Sequence, residues 1–564
     1  MAETGERITR IYSNFRGADF RGEEINLVRS PDCLNVWKDY KKTESIRTRP
    51  GLDLIHQFDD AVYGIFFYSV NGKETTIVHS GSKLYKCDGD QKEEIYHGVN
   101  TARSEGFVYN NVWYFKDGLN YLQYNGIEVK SVVGYVPTTS HGMKPAGGGT
   151  RHEDINLLTG RRKNSFLSDG SSRDYHLDSQ EIDDDFTPIV TVNDKNVTDF
   201  TVNYKTGTIT FTGDSRYAIP LTDGRDNVII EFSKKIDGYA DRIRKCTLLS
   251  VFDNRVFFSG NKDFPNTVWH CSLHDPTYCS DTDYYNEGLD TAAVRGLVAG
   301  NNALWVFREP SQANTTVFYH VPTLDGEYGK IYPSSHSSIA TGCIGKAINF
   351  GDDIVFFSDR GMEGISGDIT SEQVIRHRST LIDSKLLTEK GYKDMILEEW
   401  EGYLIVFIGD KAYLADSRST FTNENHIEYE WFYWDFDKEI TSAKVNGGLL
   451  YIGTKDGVYT LTDNNCDIES YWVTPKDKFN APQKLKTTNK RGCTVEAEGD
   501  IELFAKVEDT GFEPIGSFED IKDYFVARIK RKKFKDIQLK FYSKKRFSLE
   551  TATLECFIGG YIKR

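Results

Sequence analysis

The stretch GFVYNNVWYFKDGLNYLQYNG, residues 106–126, gives the clearest indication of the secondary structure of this chain. It contains short runs of aromatic and β-branched residues that are separated by Asn, Asp and Gly, and this pattern predicts β-strands joined by turns. Asn, Asp and Gly tolerate the positive φ angles that two-residue hairpin turns require. The stretch therefore predicts a small antiparallel unit, which needs neighbouring units to bury both of its faces.

Six further segments repeat this pattern of an apolar strand, a turn, an aromatic strand, a short gap and another strand. They are residues 62–90, 248–271, 296–310, 347–366, 396–416 and 443–463. Successive copies lie roughly 40–50 residues apart, which is the period of propeller blades. We therefore predict an all-β protein with a β-propeller of six or seven blades. A series of unrelated hairpins in β-sandwiches remains the alternative.

Interruptions of the repeat predict five regions along the chain. The strand pattern TVNYKTGTITFTG lies within the first interruption and predicts a hairpin that turns at Thr206-Gly207. We expect the N-terminal arm to join the C-terminal domain, since neither follows the repeat. The regions are an N-terminal extended arm with platform strands (1–60), the first propeller blades (61–133), an inserted β-domain (134–239), the remaining blades (240–465) and a C-terminal β-sandwich-like platform domain (466–564).

One segment, residues 371–390, is predicted to be helical. Its apolar residues Ile375, Leu381, Ile382 and Leu386 recur at helical spacing.

Composition excludes several classes of protein. The 564 residues are 38% hydrophobic and 13% aromatic, which is typical of a folded globular chain. We find neither an apolar run long enough to span a membrane nor an apolar N-terminal leader. The net charge of −15 argues against a protein whose whole surface clamps DNA phosphates. The nine cysteines are widely spaced, so we expect reduced, mostly buried thiols.

The sequence offers little that indicates catalysis. The string HCSLHDPTYC brings His270, Cys271, His274 and Cys279 within ten residues, but their spacing matches no structural zinc module, and packing is the favoured interpretation. The acidic run 183–185 is interpreted as a solvated loop, with a cation site as the alternative. We predict no enzymatic activity, no cofactor and no metal.

The string ARIKRKKFKDIQLKFYSKKRF, residues 527–547, is the most basic feature of this acidic chain. Its first part is predicted to belong to a strand over 525–534. On such a strand Arg528, Lys530 and Lys532 share one face, while Arg531 and Lys533 share the other. We interpret Arg528, Lys530, Lys532, Lys533 and Lys535 as a possible contact with an acidic neighbouring subunit or adaptor. An edge strand protected by lysines is the alternative.

A short motif near the N-terminus, Arg49-Pro50-Gly51, is predicted to form a tight turn. Proline fixes φ near −65° and glycine permits positive φ. The segment that contains it, NFRGADFRGEEINLVRSPDCLNVWKDYKKTESIRTRPGL (14–52), resembles the opening of tailed-bacteriophage nozzle proteins, also called tail tubular or packaged-DNA-stabilisation proteins. The matching residues are Ser30, Pro31, Asp32, Asn35, Arg49, Pro50 and Gly51. Residues 252–279 and 549–564 also resemble that family.

The resemblance implies a structural component of the virion, made in the host cytoplasm. Nozzle proteins form a six-fold ring below the portal and adaptor, and viral double-stranded DNA leaves through its centre without sequence-specific binding. The resemblance therefore implies a homo-hexamer whose other partners are portal or adaptor proteins and tail fibre or tail-tip proteins. An acidic channel lining fits this role, because like charges let DNA slide rather than bind.

Two other functions stay open. A carbohydrate-binding or glycosidase-like propeller would carry tryptophans and carboxylates on one rim, and Trp400, Trp431 and Trp434 are the candidates; blade packing is the favoured interpretation of these residues. A phage tail-tip receptor-binding protein is the third possibility, and it would usually be trimeric.

Overall fold

The structure is a computed structural model that describes residues 6–41, 45–70, 72–212, 220–221, 224–313, 315–325, 329–337, 339–366, 374–423, 426–464, 467–529 and 533–561. Almost all regular structure is β, and seven four-stranded antiparallel sheets occur within these residues. The prediction of an all-β propeller protein is confirmed. Among the described residues no helix has the length and apolar character that a membrane span requires.

The chain divides into two compact units. The first comprises Met1–Phe67, Thr75–Glu94 and Ser337–Arg564, and the second comprises Tyr68–Glu74 and Ile95–His336. Unit 1 therefore combines the arm and the C-terminal domain with part of the propeller repeat.

Unit 1 holds most of sheet I and all of sheets V, VI and VII. Their strands are Val62–Val70, Lys73–Ser80, Lys83–Asp88 and Gln91–His97 (sheet I); Ala347–Phe350, Asp353–Ser358, Gly361–Ser366 and Val374–His377 (sheet V); Ile396–Trp400, Tyr403–Ile408, Lys411–Asn423 and His426–Asp435 (sheet VI); and Ile440–Asn446, Leu449–Thr454, Gly457–Thr462 and Gly51–Gln57 (sheet VII). Sheet VII thus takes its outer strand from the N-terminal region.

Unit 2 holds sheets II, III and IV and the inserted domain. The sheets contain Glu105–Tyr109, Val112–Lys116, Tyr121–Tyr124 and Val129–Ser131 (sheet II); Leu248–Phe252, Arg255–Ser259, Thr267–His270 and Tyr284–Asn286 (sheet III); and Val294–Gly300, Ala303–Arg308, Val317–His320 and Ser334–His336 (sheet IV). The helix Tyr239–Arg244 precedes sheet III, and the small hairpin Thr323–Asp325 and Gly329–Ile331 projects from sheet IV.

The first turns of sheets II, III and IV use the turn residues that the sequence pattern predicted. In sheet II, Asn110 and Asn111 have φ of 48° and 60°, and in sheet IV, Asn301 and Asn302 have φ of 50° and 59°. Two successive positive φ angles match the twist of the flanking strands in a two-residue hairpin. The predicted use of Asn, Asp and Gly in these turns is therefore confirmed.

The inserted domain consists of two sheets that lack the four-stranded repeat. One sheet has six strands in the order Thr150–Arg151, Thr138–Met143, Arg161–Phe166, Val228–Ser233, Ile189–Val192 and Lys195–Val197, and the other has Asp174–His176, Thr208–Phe211 and Phe200–Asn203. The predicted hairpin forms between the last two strands, with Gly207 at a φ of 63°. Phe166, Tyr175 and Ile230 lie in a separate buried cluster of this domain.

The predicted helix over 371–390 is wrong over most of its length. Val374–His377 is the outer strand of sheet V, and only Asp383–Leu386 is helical; residues 371–373 lie outside the described residues. Ile375 pairs with Ile365 in the sheet, whereas Leu381, Ile382 and Leu386 are buried in the core of unit 1. The apolar spacing thus combined residues of a strand with those of a following loop and short helix.

The C-terminal domain is built around one strand of 24 residues, Lys484–Val507, which we call the long strand. Its first half pairs with Phe547–Tyr561, the C-terminal strand, and with Tyr524–Ala527 and Lys533–Phe534. Its second half pairs with Ile537–Ser543 and with Glu513–Ile521. Register shifts in these pairings mark where the long strand bends, so that its two halves belong to two layers of a sandwich.

The N-terminal arm contributes strands to this sandwich. Glu6–Tyr12, the arm strand, pairs with the C-terminal strand. Cys33–Leu34 pairs with Ser470–Val473, and Ile46–Thr48 pairs with both Val36–Lys38 and the C-terminal strand. One hydrophobic cluster runs through the arm, sheets V and VI and the C-terminal domain.

Candidate functional site

The residues that carry the family resemblance meet where the arm crosses from the C-terminal sandwich to sheet VI. We call Ser30, Asp32, Asn35 and Arg49 the arm junction. Each contacts a segment that lies hundreds of residues away in the sequence.

Asn35 is the centre of the arm junction. Its backbone has a φ of 54°, its N–H donates to the Tyr433 carbonyl at 3.0 Å, and its carbonyl accepts from the Arg49 N–H at 2.8 Å. The side-chain Nδ2 donates to the Glu469 carbonyl at 2.9 Å. Its Oδ1 accepts from Arg49 Nε at 2.9 Å and from the Asp435 N–H at 2.8 Å. A buried Asn thus satisfies polar groups of three chain segments that would otherwise be costly to bury.

Arg49 is buried beside Asn35 and joins the arm to sheet VI. Its Nη1 donates to the Pro50 carbonyl at 2.9 Å, and its Nη2 donates to the Asp435 carbonyl at 2.9 Å. The guanidinium lies 4.3 Å from the centroid of the Phe436 ring. A planar group with five donors suits such a site, where carbonyl oxygens and an aromatic face must be contacted together.

The predicted tight turn at Arg49-Pro50-Gly51 is wrong. Gly51 begins the strand Gly51–Gln57 opposite Thr462 and is not among the glycines with positive φ. The fixed φ of Pro50 also suits an extended chain, which lets Arg49 point inward while the backbone passes from one sheet to the next.

Ser30 and Asp32 fix the preceding part of the arm. Ser30 is fully buried, and its Oγ lies 2.7 Å from the carbonyl oxygens of both Asp32 and Val473. The Asp32 carbonyl accepts from the Val473 N–H at 3.1 Å, while its Oδ1 accepts from the Tyr471 hydroxyl at 3.1 Å. The Ser-Pro-Asp motif therefore docks the arm on the strand Ser470–Val473.

A buried ion pair that the sequence analysis missed lies under the arm. Arg29 donates from Nε and Nη2 to the two carboxylate oxygens of Glu430, at 2.8 and 2.7 Å, and both side chains are buried. The Arg29 guanidinium also lies 4.3 Å from the Phe421 ring centroid. The stretch HIEYEWFYWD, residues 426–435, could have indicated this ion pair, because acidic residues within a buried aromatic strand require a partner.

Another missed cluster surrounds His377 in sheet V. Its Nε2 lies 2.6 Å from Asp383 Oδ2, and its Nδ1 lies 3.3 Å from Glu363 Oε1. Burial alone would lower the pKa of His377, but hydrogen bonds to the two carboxylates outweigh it and raise the pKa to about 10. Because this imidazole stays protonated, it acts as a structural cation rather than a base near neutral pH.

The structure describes only some of the basic residues that the sequence analysis singled out in the C-terminal domain. Lys530 and Lys532, with Arg531, lie outside the described residues. The predicted continuous strand over 525–534 is wrong, because the strand ends at Ala527 and a separate one begins at Lys533. Arg528, Lys533 and Lys535 are exposed, while Ile529 and Phe534 between them are buried.

Other sequence candidates fill packing positions. Trp431 and Trp434 are fully buried and Trp400 is 8% exposed, so the packing interpretation is confirmed and a tryptophan rim is wrong. Trp37 stacks on Trp400, with ring centroids 5.2 Å apart.

The string HCSLHDPTYC is likewise explained by packing rather than by metal binding. His270, Cys271 and Cys279 are buried, and His274 Nδ1 lies 2.7 Å from the Tyr109 hydroxyl. Within the part of the chain that the structure describes, no group of three or more His, Cys, Asp or Glu residues is arranged to hold a metal ion. Eight cysteines in that part are buried thiols, and burial raises the pKa of Cys33 and Cys271 to about 12.

Comparison with known proteins identifies no family for the chain. No protein-family model matches it, and no curated protein matches it. Among solved structures, BamB from Moraxella catarrhalis is 10% identical, with a TM-score of 0.33 over 76% of this chain and 93% of BamB. An exo-β-1,3-galactanase from Phanerochaete chrysosporium is 7% identical, with a TM-score of 0.23 over 90% and 100%. PorZ of Porphyromonas gingivalis is 12% identical, with a TM-score of 0.21 over 83% and 70%.

Scores this low carry no argument about function. The fold rests on the seven four-stranded sheets of the chain itself, and these make it an all-β protein of the β-propeller class.

Proposed function

We propose that the chain is a structural subunit of a bacteriophage tail nozzle. In this role it forms a homo-hexameric ring below the portal and adaptor, retains packaged DNA and passes it at ejection. The proposal assigns the chain no catalytic activity and no cofactor.

The arm junction is the observation that carries the proposal. Ser30, Asp32, Asn35 and Arg49 carry the resemblance to nozzle proteins and make the contacts that join the arm to the C-terminal sandwich and sheet VI. Ser30, Asn35 and Arg49 are buried, whereas the Asp32 side chain is exposed. All four residues act at one place in the structure, and the contacts of each explain why that residue type is present. This supports kinship with nozzle proteins better than a chance match of common residues would.

Charge supports the same role. The chain carries a formal charge of −15, which suits a channel that must not bind DNA tightly. The exposed Arg528, Lys533 and Lys535 form a small basic set in this acidic protein, and we assign them to contact with an acidic neighbouring subunit or adaptor.

Electron microscopy of the full-length protein, alone and with the portal–adaptor complex of the same phage, tests the proposal. We expect ring-shaped class averages with six subunits and a central channel. A protein that stays monomeric at micromolar concentration and does not bind the portal–adaptor complex would overturn the proposal. Rings of three subunits would favour the receptor-binding alternative instead.

A sugar-acting propeller remains the alternative function. One solved structure with a similar fold is named as a galactanase, but its TM-score of 0.23 gives that name no weight for this chain. The three tryptophans considered for sugar stacking are buried in unit 1. Hydrolysis of a polysaccharide by the purified protein, abolished by replacing one carboxylate, would establish this alternative.

A further inference from the structure

The C-terminal sandwich exposes two strand edges on opposite sides. One layer runs in the order arm strand, C-terminal strand, first half of the long strand and Tyr524–Ala527. The other layer runs in the order Ser470–Val473, Ile537–Ser543, second half of the long strand and Glu513–Ile521. The arm strand thus lies at one side of the domain, and Glu513–Ile521, which we call the acidic edge strand, lies at the other.

The arm strand is an open edge. Among the described residues it pairs only with the C-terminal strand, so the backbone groups of its other edge have no strand partner. It carries Arg7 and Arg10 against one acidic residue, Glu6, but Arg10 is largely buried and donates from Nε and Nη2 to the carboxylate of Asp477, so Arg7 is the exposed cation of this edge. Arg7 contacts Glu555 yet keeps 60% of its side chain exposed, and Ile11 is 57% exposed. An exposed apolar residue on an unpaired edge favours pairing with another strand.

The acidic edge strand is open on its outer side as well. Within the described part of the chain it pairs only with the long strand. Its sequence EPIGSFEDI contains three acidic residues and neither Lys nor Arg. Pro514 near its start cannot donate to an added strand, so the part available for pairing is 515–521. Ser517, Glu519 and Asp520 are exposed.

A small cavity opens beside this second edge. It has a volume of about 100 Å³ and is lined by both apolar and polar groups; Ile515, Ile529 and Phe534 supply apolar surface, and Thr488 and Glu513 supply polar surface. Arg528 also borders it. A cavity of this size next to an open edge suits one apolar side chain presented by an added strand.

We propose that the arm strand of one copy adds to the acidic edge strand of the next copy, and that the exposed Ile11 packs at the cavity. The proposal rests on the proposed function, since it names the contact that builds the ring. Three features of one domain support it: edges on opposite sides, an exposed arginine (Arg7) on one edge against exposed carboxylates (Glu519 and Asp520) on the other, and an exposed apolar side chain (Ile11) that can pack on the apolar part of the cavity. Contacts between different surfaces of identical subunits are head to tail, and such contacts generate rings when the rotation closes.

Cysteine cross-linking tests the contact directly. Thr9→Cys places a thiol on the exposed part of the arm strand, and Ser517→Cys places one on the acidic edge strand. A short bismaleimide should convert the double variant into a covalent ladder that ends at the subunit number of the ring. Each single variant is the matched control and reports any reaction of native thiols, including Cys466, which lies outside the described residues.

The outcomes separate this contact from the proposed function. Six-subunit rings in micrographs together with the ladder would support both. Rings whose double variant gives no more cross-linking than the single variants would overturn the edge contact and leave the ring intact. Protein that forms no rings with or without the portal–adaptor complex would overturn the proposed function, and the edge contact with it.

A charge exchange gives a second, independent readout. Ile11→Asp removes the apolar contact and places a negative charge opposite the acidic edge strand, so the fraction of protein in rings should fall at least tenfold. Adding Glu519→Lys and Asp520→Lys should restore assembly. Because all three side chains are exposed in the single chain, each variant should keep the wild-type circular dichroism spectrum. Full ring formation by Ile11→Asp would contradict the proposal.

Discussion

Asn35 joins three segments of the chain through one side chain and one unusual backbone conformation. Asn35→Ala removes three hydrogen bonds and places alanine at a φ of 54°, so we expect a loss of about 2–4 kcal/mol in the stability of unit 1. Asn111→Ala is the matched control, since Asn111 has a φ of 60° and an exposed side chain. Thermal unfolding and hydrogen exchange of residues 28–38 measure the difference. Equal effects of the two substitutions would refute the role of the Asn35 side chain.

His377 gives unit 1 a pH dependence with a defined sign. Its pKa is raised in the folded state to about 10, so its contribution to stability is complete below its unfolded pKa of about 6.5 and is lost as the pH rises through 10. We expect wild-type protein to lose about 1–3 kcal/mol more stability between pH 7 and pH 10 than His377→Gln does. Denaturant unfolding across that pH range measures it, and parallel curves would contradict it.

At the scale of elements, the arm lies against the hairpin Lys411–Asn423 and His426–Asp435 through the buried pair of Arg29 and Glu430. Arg29→Met leaves the buried Glu430 carboxylate with only the more distant Arg16, whose Nη1 lies 3.7 Å from Glu430 Oε1, and should cost up to about 3–5 kcal/mol. The double variant with Glu430→Leu should cost less than Arg29→Met alone, because no buried charge remains. Arg295→Met, at an exposed ion pair with Glu309, is the control and should cost about 0–1 kcal/mol. Proteolysis of the arm and thermal unfolding measure these differences.

Elements also show what the sequence could predict. The repeat and the Asn-Asn turns predicted the sheets, because hairpins depend on neighbouring residues whose chemistry is local. The prediction of a helix over 371–390 is wrong because the strand Val374–His377 is fixed by pairing with Gly361–Ser366. Apolar spacing alone does not reveal this pairing. The prediction of a tight turn at Gly51 is wrong for a similar reason, because the backbone of Gly51 is fixed by pairing with Thr462. The arm junction residues were found through resemblance, but their contacts lie too far along the chain for spacing to indicate.

At the scale of the whole molecule, the basic residues stand out against a net charge of −15. Reversing Arg528, Lys533 and Lys535 to Glu should weaken ring or virion assembly, most visibly at low salt, because exposed charges are screened as salt rises. We expect at least a tenfold lower association rate at low ionic strength, measured by light scattering. The control reverses three exposed lysines of the inserted domain, Lys144, Lys195 and Lys205. Equal rates for both triple variants at every salt concentration would identify the 528–535 set as solvated residues only.

The pairing of the arm strand with the C-terminal strand has a consequence for synthesis on the ribosome. Arg7 contacts Glu555, 548 residues later, so the arm emerges long before its partner strands exist. At about 5–20 residues per second, the ribosome makes the C-terminal strand on the order of a minute after it makes the arm strand. Most of unit 2, residues 95–336, is continuous and can fold in that interval, whereas unit 1 is completed only once the C-terminal strand Phe547–Tyr561 has been made. A chain that terminates before residue 547 would therefore lack the partner strand on which the arm docks.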